Sequence, residues 1–411
     1  MNIKKVKPAI INILTGIKNR ISIKKFRLKN ILGLSNQIFY YIKNKLFSLK
    51  FLNKKPYYPI FNSFARPPRQ INIMVNNICN SKCVMCDIGI KNKESFFYKN
   101  LVQDGKNTLS PETLKKFIDE VKTFKPYINI CATEPLLHPK IIELIQIVKD
   151  AKLKLTLTTN GLLLKKYAKQ IALSELDKIL VSLDGLKQTH NKIRGIKIFD
   201  RAIEGINLVK KYRDEAQKKY PLINPRFTIS NFNYKELFKF SEYMFEKVKV
   251  DRISFSHLYF VSEDAADKHN KKFSYLGKSS AKSIKLMNPS KIDVNLLLEQ
   301  IQNVNEKYGN KVGFYPENLT KDYLYEYYNP KIIPKIGKKR CFTPWEVTVL
   351  QANGDMIIRN VCIPYKVGNI HKQSFKSIWN GKRYRYFRKQ LKKYKLFPMC
   401  HRCCAVVYPK K

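Results

Sequence analysis

From residue 70 onward, short apolar runs rich in Ile, Val and Leu alternate with stretches whose apolar residues recur every three to four positions. That alternation constrains the fold more than any other feature, because strands and helices that each bury one face must pack on one another. The runs INIMV (71–75), YINIC (127–131), LKLTLTT (153–159), KILVSL (178–183), RFTIS (226–230) and RISFS (252–256) read as strands. Between the first two, Ser110 and Pro111 open a helix whose apolar face runs through Leu114, Phe117, Ile118 and Val121. Ile141, Leu144, Ile145 and Val148 mark the next helix, and Phe199, Ala202, Ile203, Ile206 and Val209 a later one. Strands separated by helices pair in parallel through right-handed crossovers. Six such units are fewer than the eight of a closed barrel. The expectation is therefore an α/β fold, a partial (β/α)6 TIM-like barrel open on one side, with a doubly wound sheet as the alternative.

The flanks differ from this core. Residues 1–65 are a basic arm in which Lys and Arg interleave with Ile, Leu and Phe and no acid occurs. Two readings are open for it: an amphipathic segment on an anionic membrane surface, or a helical arm packed on the protein. FARPPRQ (64–70) closes the arm, since consecutive prolines stop a helix. Residues 264–292 are polar and aperiodic, and read as a lid over the barrel mouth or as a plain loop. A helix from Asp293 (Leu296, Leu297, Ile301, Val304) and a strand VGFY (312–315) follow.

Composition removes some alternatives. With 411 residues, 44% of them hydrophobic, the chain suffices for two domains and is not a disordered one. Its net charge of +48 attracts phosphates, nucleic acid or anionic lipid. The excess Lys accompanies Ile and Asn along the whole chain, however, and no compact basic tract follows residue 60. A nucleic-acid surface is therefore not expected. No cleavable leader is read, and no apolar run reaches the roughly 18–20 residues that span a bilayer. The expected location is cytoplasmic, with membrane-peripheral contact through the arm left open. Nine cysteines cluster at 79–86 and 341–404, with Cys131 alone and read as a core thiol. Such clustering in a reducing compartment argues for metal ligation.

NNICNSKCVMCDIG (76–89) puts Cys79, Cys83 and Cys86 within eight residues, directly after the first strand. Four thiolates saturate a 4Fe–4S cube, and three leave one iron able to bind something else. The position after a strand places the loop at the carboxyl mouth of a barrel, where catalytic loops gather. Zinc held by these thiols and a remote ligand is the alternative.

The spacing Cys79-x3-Cys83-x2-Cys86 resembles the signature of the radical SAM superfamily. Further stretches agree in order: ATEP (132–135) resembles the family's Gly-Gly-Glu-Pro, which lines the amino group of S-adenosylmethionine (SAM). Asn160-Gly161 and Ser182-Leu183-Asp184-Gly185 resemble its ribose and methionine contacts, and Arg194-Gly195 the arginine that meets the SAM carboxylate. The resemblance implies that Thr133, Glu134, Asn160, Ser182, Asp184 and Arg194 bind SAM beside a 4Fe–4S cluster on Cys79, Cys83 and Cys86. Two departures stand out. Ala132 and Thr133 replace both glycines, and Met85 stands where an aromatic is commoner. His138 reads as a local helix-start residue, and His257 and Tyr259, after the sixth strand, as residues near the mouth.

In the tail, Asn353-Gly354 signals a hairpin that brings Cys341 towards Cys362, and Cys400-x2-Cys403 follows a helix around Ile378 and Trp379. The tail resembles the SPASM or Twitch extension of radical SAM enzymes, which implies an auxiliary 4Fe–4S cluster on Cys341, Cys362, Cys400 and Cys403. Arg359 occupies a usual cysteine position, and a structural zinc knot remains the alternative. The implied layout is an arm (1–65), a core barrel (66–263), a loop and helix connector (264–335) and a SPASM/Twitch-like domain (336–411). The implied activity is reductive cleavage of SAM to a 5′-deoxyadenosyl radical that abstracts hydrogen from a peptide or carbohydrate-linked substrate. Flavodoxin or ferredoxin would donate the electron. A non-catalytic iron–sulfur protein is the competing reading.

Overall fold

The computed structural model describes residues 63–102, 105–316, 319–334, 341–358 and 363–403. The basic arm up to residue 62, Arg359, Cys362 and Cys404 lie outside the described residues, and the expectations that rest on them with it.

Ten strands form one sheet: β1 (Gln70–Ile73), β2 (Tyr127–Ile130), β3 (Leu155–Thr159), β4 (Lys178–Ser182), β5 (Leu222–Ile229), β6 (Ile253–His257), β7 (Val312–Tyr315), β8 (Val347–Leu350), β9 (Asp355–Ile358) and β10 (Lys366–Asn369). Their order is β10-β9-β8-β1-β2-β3-β4-β5-β6-β7, with edges at β10 and β7, so the barrel is open. β1 to β7 run parallel, and β8 joins the far side of β1 in the same direction. β9 and β10 return antiparallel. The register aligns Ile71 with Ile128, Ile128 with Leu155, Leu157 with Ile179 and Ile179 with Ile223. All of these are sealed from solvent, as strands covered on both faces must be.

The helices follow the expected faces. Ser110 Oγ accepts from the Thr113 amide (3.2 Å) and caps Pro111–Val121, which buries Leu114, Phe117, Ile118 and Val121. Each such side chain contributes about 1.5–3 kcal/mol on leaving water. Helices Leu164–Leu173 and Phe199–Glu215 approach closely at Gly205, where a Cβ would lie 2.7 Å from Leu164 Cβ.

The structure extends the sequence reading in three places. β5 begins at Leu222, ahead of the run RFTIS, and contains Pro225, a residue that in sequence argues against a central strand. VGFY adds a seventh parallel strand, and the tail's first strand pairs with β1 rather than starting a sheet of its own. The helix Glu263–Phe273, which runs from just before into the stretch read as aperiodic, buries Ala265, Ala266, His269 and Phe273. Two alanines and a histidine carry too little hydrophobic signal to show a period.

The tail shares the barrel's core: Trp345, Phe375, Trp379, Tyr384, Phe397 and Cys400 belong to the same apolar cluster as the strands. Trp379 Nε1 donates to the Arg66 carbonyl (2.6 Å), and Asn380 exchanges hydrogen bonds with the Ala65 backbone (2.9 and 3.0 Å). No helix among the described residues is long and apolar enough to cross a membrane.

Candidate iron–sulfur and SAM site

The cysteine loop leaves β1 through a turn shaped by Asn76. Its Oδ1 accepts from the Ile78 amide (3.1 Å), and its Nδ2 donates to the Glu134 carbonyl (2.9 Å). Cys83 is buried, while Cys79 and Cys86 are half-buried. The Cys86 amide donates to the Cys83 carbonyl (3.1 Å), folding the two around one turn. Gly89 is required there, since a Cβ would stand 2.5 Å from the Cys83 nitrogen. The loop is clamped to the end of helix Lys187–Arg194: the Lys82 amide donates to the Arg194 carbonyl (3.1 Å) and the Val84 amide to the Ile193 carbonyl (2.9 Å).

Ala132 (φ 67°) and Thr133 (φ 41°) keep the left-handed backbone that glycine adopts freely. The chain thus retains the glycine-type turn with side chains on it, and Thr133 Oγ1 donates into the Asn76 turn at 2.9–3.0 Å. Glu134 is fully buried. One carboxylate oxygen accepts from the Leu136 amide (3.0 Å) and Thr159 Oγ1 (2.7 Å), the other from the Asn160 amide (2.6 Å). Burial pushes its pKa up, and these three donors pull against that. Asn160 then reaches back to the cysteine loop, donating to Asn80 Oδ1 (2.8 Å) and Ser81 Oγ (3.0 Å). Ser182, last in β4, is half-buried.

Asp184 and Arg194 form a buried ion pair, Oδ2 to Nη2 2.5 Å. The other Asp184 oxygen accepts from the Thr228 amide (2.8 Å), and the Asp184 amide donates to His190 Nδ1 (3.0 Å). Arg194 Nη1 lies 3.5 Å from Cys83 Sγ, and its Nε has no partner among the described residues. Burial opposes the Arg194 charge, yet the Asp184 carboxylate outweighs it and holds the guanidinium protonated.

The donor set fits a cube. Burial pushes the Cys79 thiol up to about 11 and raises Cys83 as well, so unaided ionisation is unfavourable. A positive centre must accompany thiolates here, and iron supplies it while accepting soft sulfur. Among the described residues no three His, Cys, Asp or Glu side chains converge on one point as ligands of a single ion would. Thiolates on separate corners of a cube need not converge in this way.

In the tail, Cys400 is buried and Cys341 and Cys403 are half-buried; Cys362 and Cys404 are outside the described residues. The Cys403 amide donates to the Cys400 carbonyl (3.1 Å). Arg402, which sequence reasoning passed over, anchors this loop. Its guanidinium donates to the carbonyls of Tyr327, Asn329 and Ile332, each at 2.6 Å, across the end of helix Lys321–Tyr328. Its one sequence signal is a cation between two cysteines. Tyr327 Oη lies 3.0 Å from both the Arg402 and Leu258 carbonyls, tying the loop to the segment that leaves β6.

The histidines are engaged structurally. His138 Nε2 pairs with the Leu109 carbonyl (3.0 Å), and Nδ1 accepts from the Lys140 amide (3.1 Å). His257 is buried against the Tyr328 hydroxyl and pushed by burial down to about 3. Cys131 is half-buried rather than a sealed core thiol, because β2 ends at Ile130 and the chain turns at Ala132. A groove of about 400 Å³ along helix Phe199–Glu215, lined by Ile203, Leu208 and Tyr243 among others, shares no residue with the site.

An open parallel barrel with a three-cysteine loop at the carboxyl end of its first strand, and a second cysteine set in its tail, defines an iron–sulfur protein of the barrel class. Residues 73–219 match the radical SAM superfamily, and residues 341–404 match SPASM, an iron–sulfur cluster-binding domain. The chain carries a radical SAM domain followed by a C-terminal SPASM domain and is an enzyme; the cofactors are 4Fe–4S clusters and SAM. It is 26% identical over 323 residues to Fe-coproporphyrin III synthase of Methanosarcina barkeri, covering 73% of this chain and 71% of that protein. It is 29% identical over 186 residues to a probable GTP 3′,8-cyclase of Saccharolobus islandicus, covering 44% of this chain and 55% of the relative. Its fold resembles Streptococcus suis SuiB bound to S-adenosylmethionine, with TM-score 0.55 and 18% identity over 94% of this chain and 80% of that one. Native anSMEcpe with bound AdoMet is also similar, with TM-score 0.54 and 18% identity over 81% of this chain and 88% of that one.

Proposed function

We propose that this enzyme reductively cleaves SAM at a cluster held by Cys79, Cys83 and Cys86, and uses the resulting radical to take hydrogen from a peptide or carbohydrate-linked substrate. One observation carries the reading. The cysteine loop, the Glu134 turn, the Asn160 turn and the Asp184–Arg194 pair form one hydrogen-bonded assembly at the carboxyl ends of β1 to β4. Cys79, Cys83 and Cys86 would hold a 4Fe–4S cluster with one open iron, and that cluster would supply the electron, received from reduced flavodoxin or ferredoxin, for reductive cleavage of SAM.

The chain's own residues divide the remaining work. Both Glu134 oxygens and both Asp184 oxygens are engaged by protein donors, so these two acids position neighbouring groups. Glu134 sets the Asn160 turn, whose side chain holds Asn80 and Ser81 between the first two cysteines. Arg194, oriented by Asp184, presents Nη1 to the Cys83 sulfur and retains an Nε proton for a SAM carboxylate. Thr133 and Ser182, half-buried at the same end, line the space that remains. In the tail, Cys341, Cys362, Cys400 and Cys403 hold the auxiliary cluster. Cys79, Cys83 and Cys86 are not in disulfides, which suits a cytoplasmic location.

The test is anaerobic reconstitution of the full chain. The expected result is about eight irons per chain, and 5′-deoxyadenosine formed from SAM on reduction. Cys83→Ala is expected to hold about four irons and form none. Wild-type rates of 5′-deoxyadenosine formation from Cys83→Ala would sink the assignment.

A further inference from the structure

Lys282 is 8% exposed, and its ammonium lies 4.1 Å from the centre of the Phe97 ring and 4.2 Å from that of Tyr259. Phe97 belongs to the connection between β1 and β2, beyond the cysteine loop, whereas Tyr259 follows β6, five strands away. All these connections leave the carboxyl ends of parallel strands. A side chain touching both rings therefore reaches across that end of the curled sheet. Its segment lies against chain that adjoins cysteines of both sets in sequence. The Ser283 amide donates to Asp87, adjacent to Cys86 (3.4 Å), and Gly277 packs against Ile363, adjacent to Cys362.

No hydrogen bond or ion pair among the described residues includes the Lys282 ammonium. The one acid nearby along these contacts, Asp87, is engaged by Ser95 Oγ (2.6 Å) and the Ser283 amide. Two cation–π contacts hold the ammonium without neutralising it, and its nitrogen is not among the fully buried polar atoms. The backbone at Lys282 pairs with Val261 in both directions (3.0 and 3.2 Å), and the two rings hold the ammonium.

We propose that Lys282 receives an anionic group of the substrate, a carboxylate or a phosphate, and seats that substrate at the carboxyl end of the sheet, beside the Cys79–Cys86 loop. This rests on the proposed enzymatic reading of the same site and adds a charge class to it.

The test uses the reconstituted, SAM-loaded full chain and two probes, pyrophosphate and the tricarboxylate tricarballylate, titrated by calorimetry. At least one probe is expected to bind. Lys282→Arg is expected to stay within about threefold of wild type, and both Lys282→Met and Lys282→Gln to weaken binding by about tenfold or more. Iron content and absorption spectrum identify variants that keep their clusters, and Lys282→Gln decides if Lys282→Met loses them. Preference for pyrophosphate assigns a phosphate, preference for tricarballylate a carboxylate. Failure of wild type to bind either probe, or wild-type affinity in a folded neutral variant, overturns the proposal. Formation of 5′-deoxyadenosine is read on the same preparation: its absence with probe binding intact refutes the enzymatic reading and leaves the anion site standing.

Discussion

Asp184→Asn removes the only negative partner within ion-pair distance of the Arg194 guanidinium among the described residues, and leaves the shape of the site nearly unchanged. The new amide oxygen still accepts from the Thr228 amide. The amide NH2, however, points a donor at a donor 2.5 Å away. With the carboxylate gone, the other group facing the guanidinium is Cys83, whose thiol burial keeps neutral in the metal-free protein. Breaking a buried pair from one side costs about 3–5 kcal/mol, because a charge is left uncompensated in a dry place. At a urea m-value of about 3 kcal/mol/M, that lowers the midpoint by about 1–1.7 M.

The assay is urea unfolding of the metal-free protein under reducing conditions, on Asp184→Asn, Arg194→Met and the double variant. Removing both charges takes away the cause of the penalty, so the double variant is expected to recover about 2 kcal/mol or more relative to the sum of the singles. The effect reaches the functional loop, because the Arg194 carbonyl receives the Lys82 amide and a relaxed arginine loosens that clamp. A midpoint shift below about 0.3 M for Asp184→Asn, or additive single variants, would refute the claim that this pair holds the loop.

Two further outcomes are expected. Gly195→Ala places a Cβ 2.5 Å from the Lys82 carbonyl in a backbone with φ of 67°, so it is expected to lose about 2–3 kcal/mol and to take up less iron; wild-type values of both would refute the steric claim. His257 is held near pKa 3 when folded, against about 6.5 when unfolded, so it contributes stability that is complete above pH 6.5 and lost as pH falls towards 3. Wild type is then expected to lose about 1.4 kcal/mol per pH unit more than His257→Asn between pH 6 and 4, and parallel stability curves for the two would refute this.

How much of this was legible depended on how local the physics is. The strands, the capped helix at Ser110 and the Asn353-Gly354 hairpin follow from periodicity and turn chemistry within ten or so residues, and they appear where the sequence puts them. The cysteine triplet is equally local. Pro225 hid the first half of β5 because a local rule, sound for most central strands, yields to pairing on both sides. The pairing of β8 with β1 joins residues nearly three hundred apart, and no window of sequence carries it. The site divides along the same line. Resemblance to a known pattern marked Glu134, Asp184 and Arg194 as polar groups in order after successive strands. Only the folded chain shows Asp184 bonded to Arg194 and Arg194 facing Cys83. The two absent glycines make the point most sharply. Ala132 and Thr133 suggest by composition a changed turn, yet both adopt the left-handed backbone at a cost of about 1–2 kcal/mol each. Thr133 recovers part of that cost through the hydrogen bond its hydroxyl donates to Asn76, which no glycine could make. A backbone held against its preference at the mouth of a barrel is what function demands of a scaffold, and here the surrounding hydrogen bonds, not the residue type, enforce it.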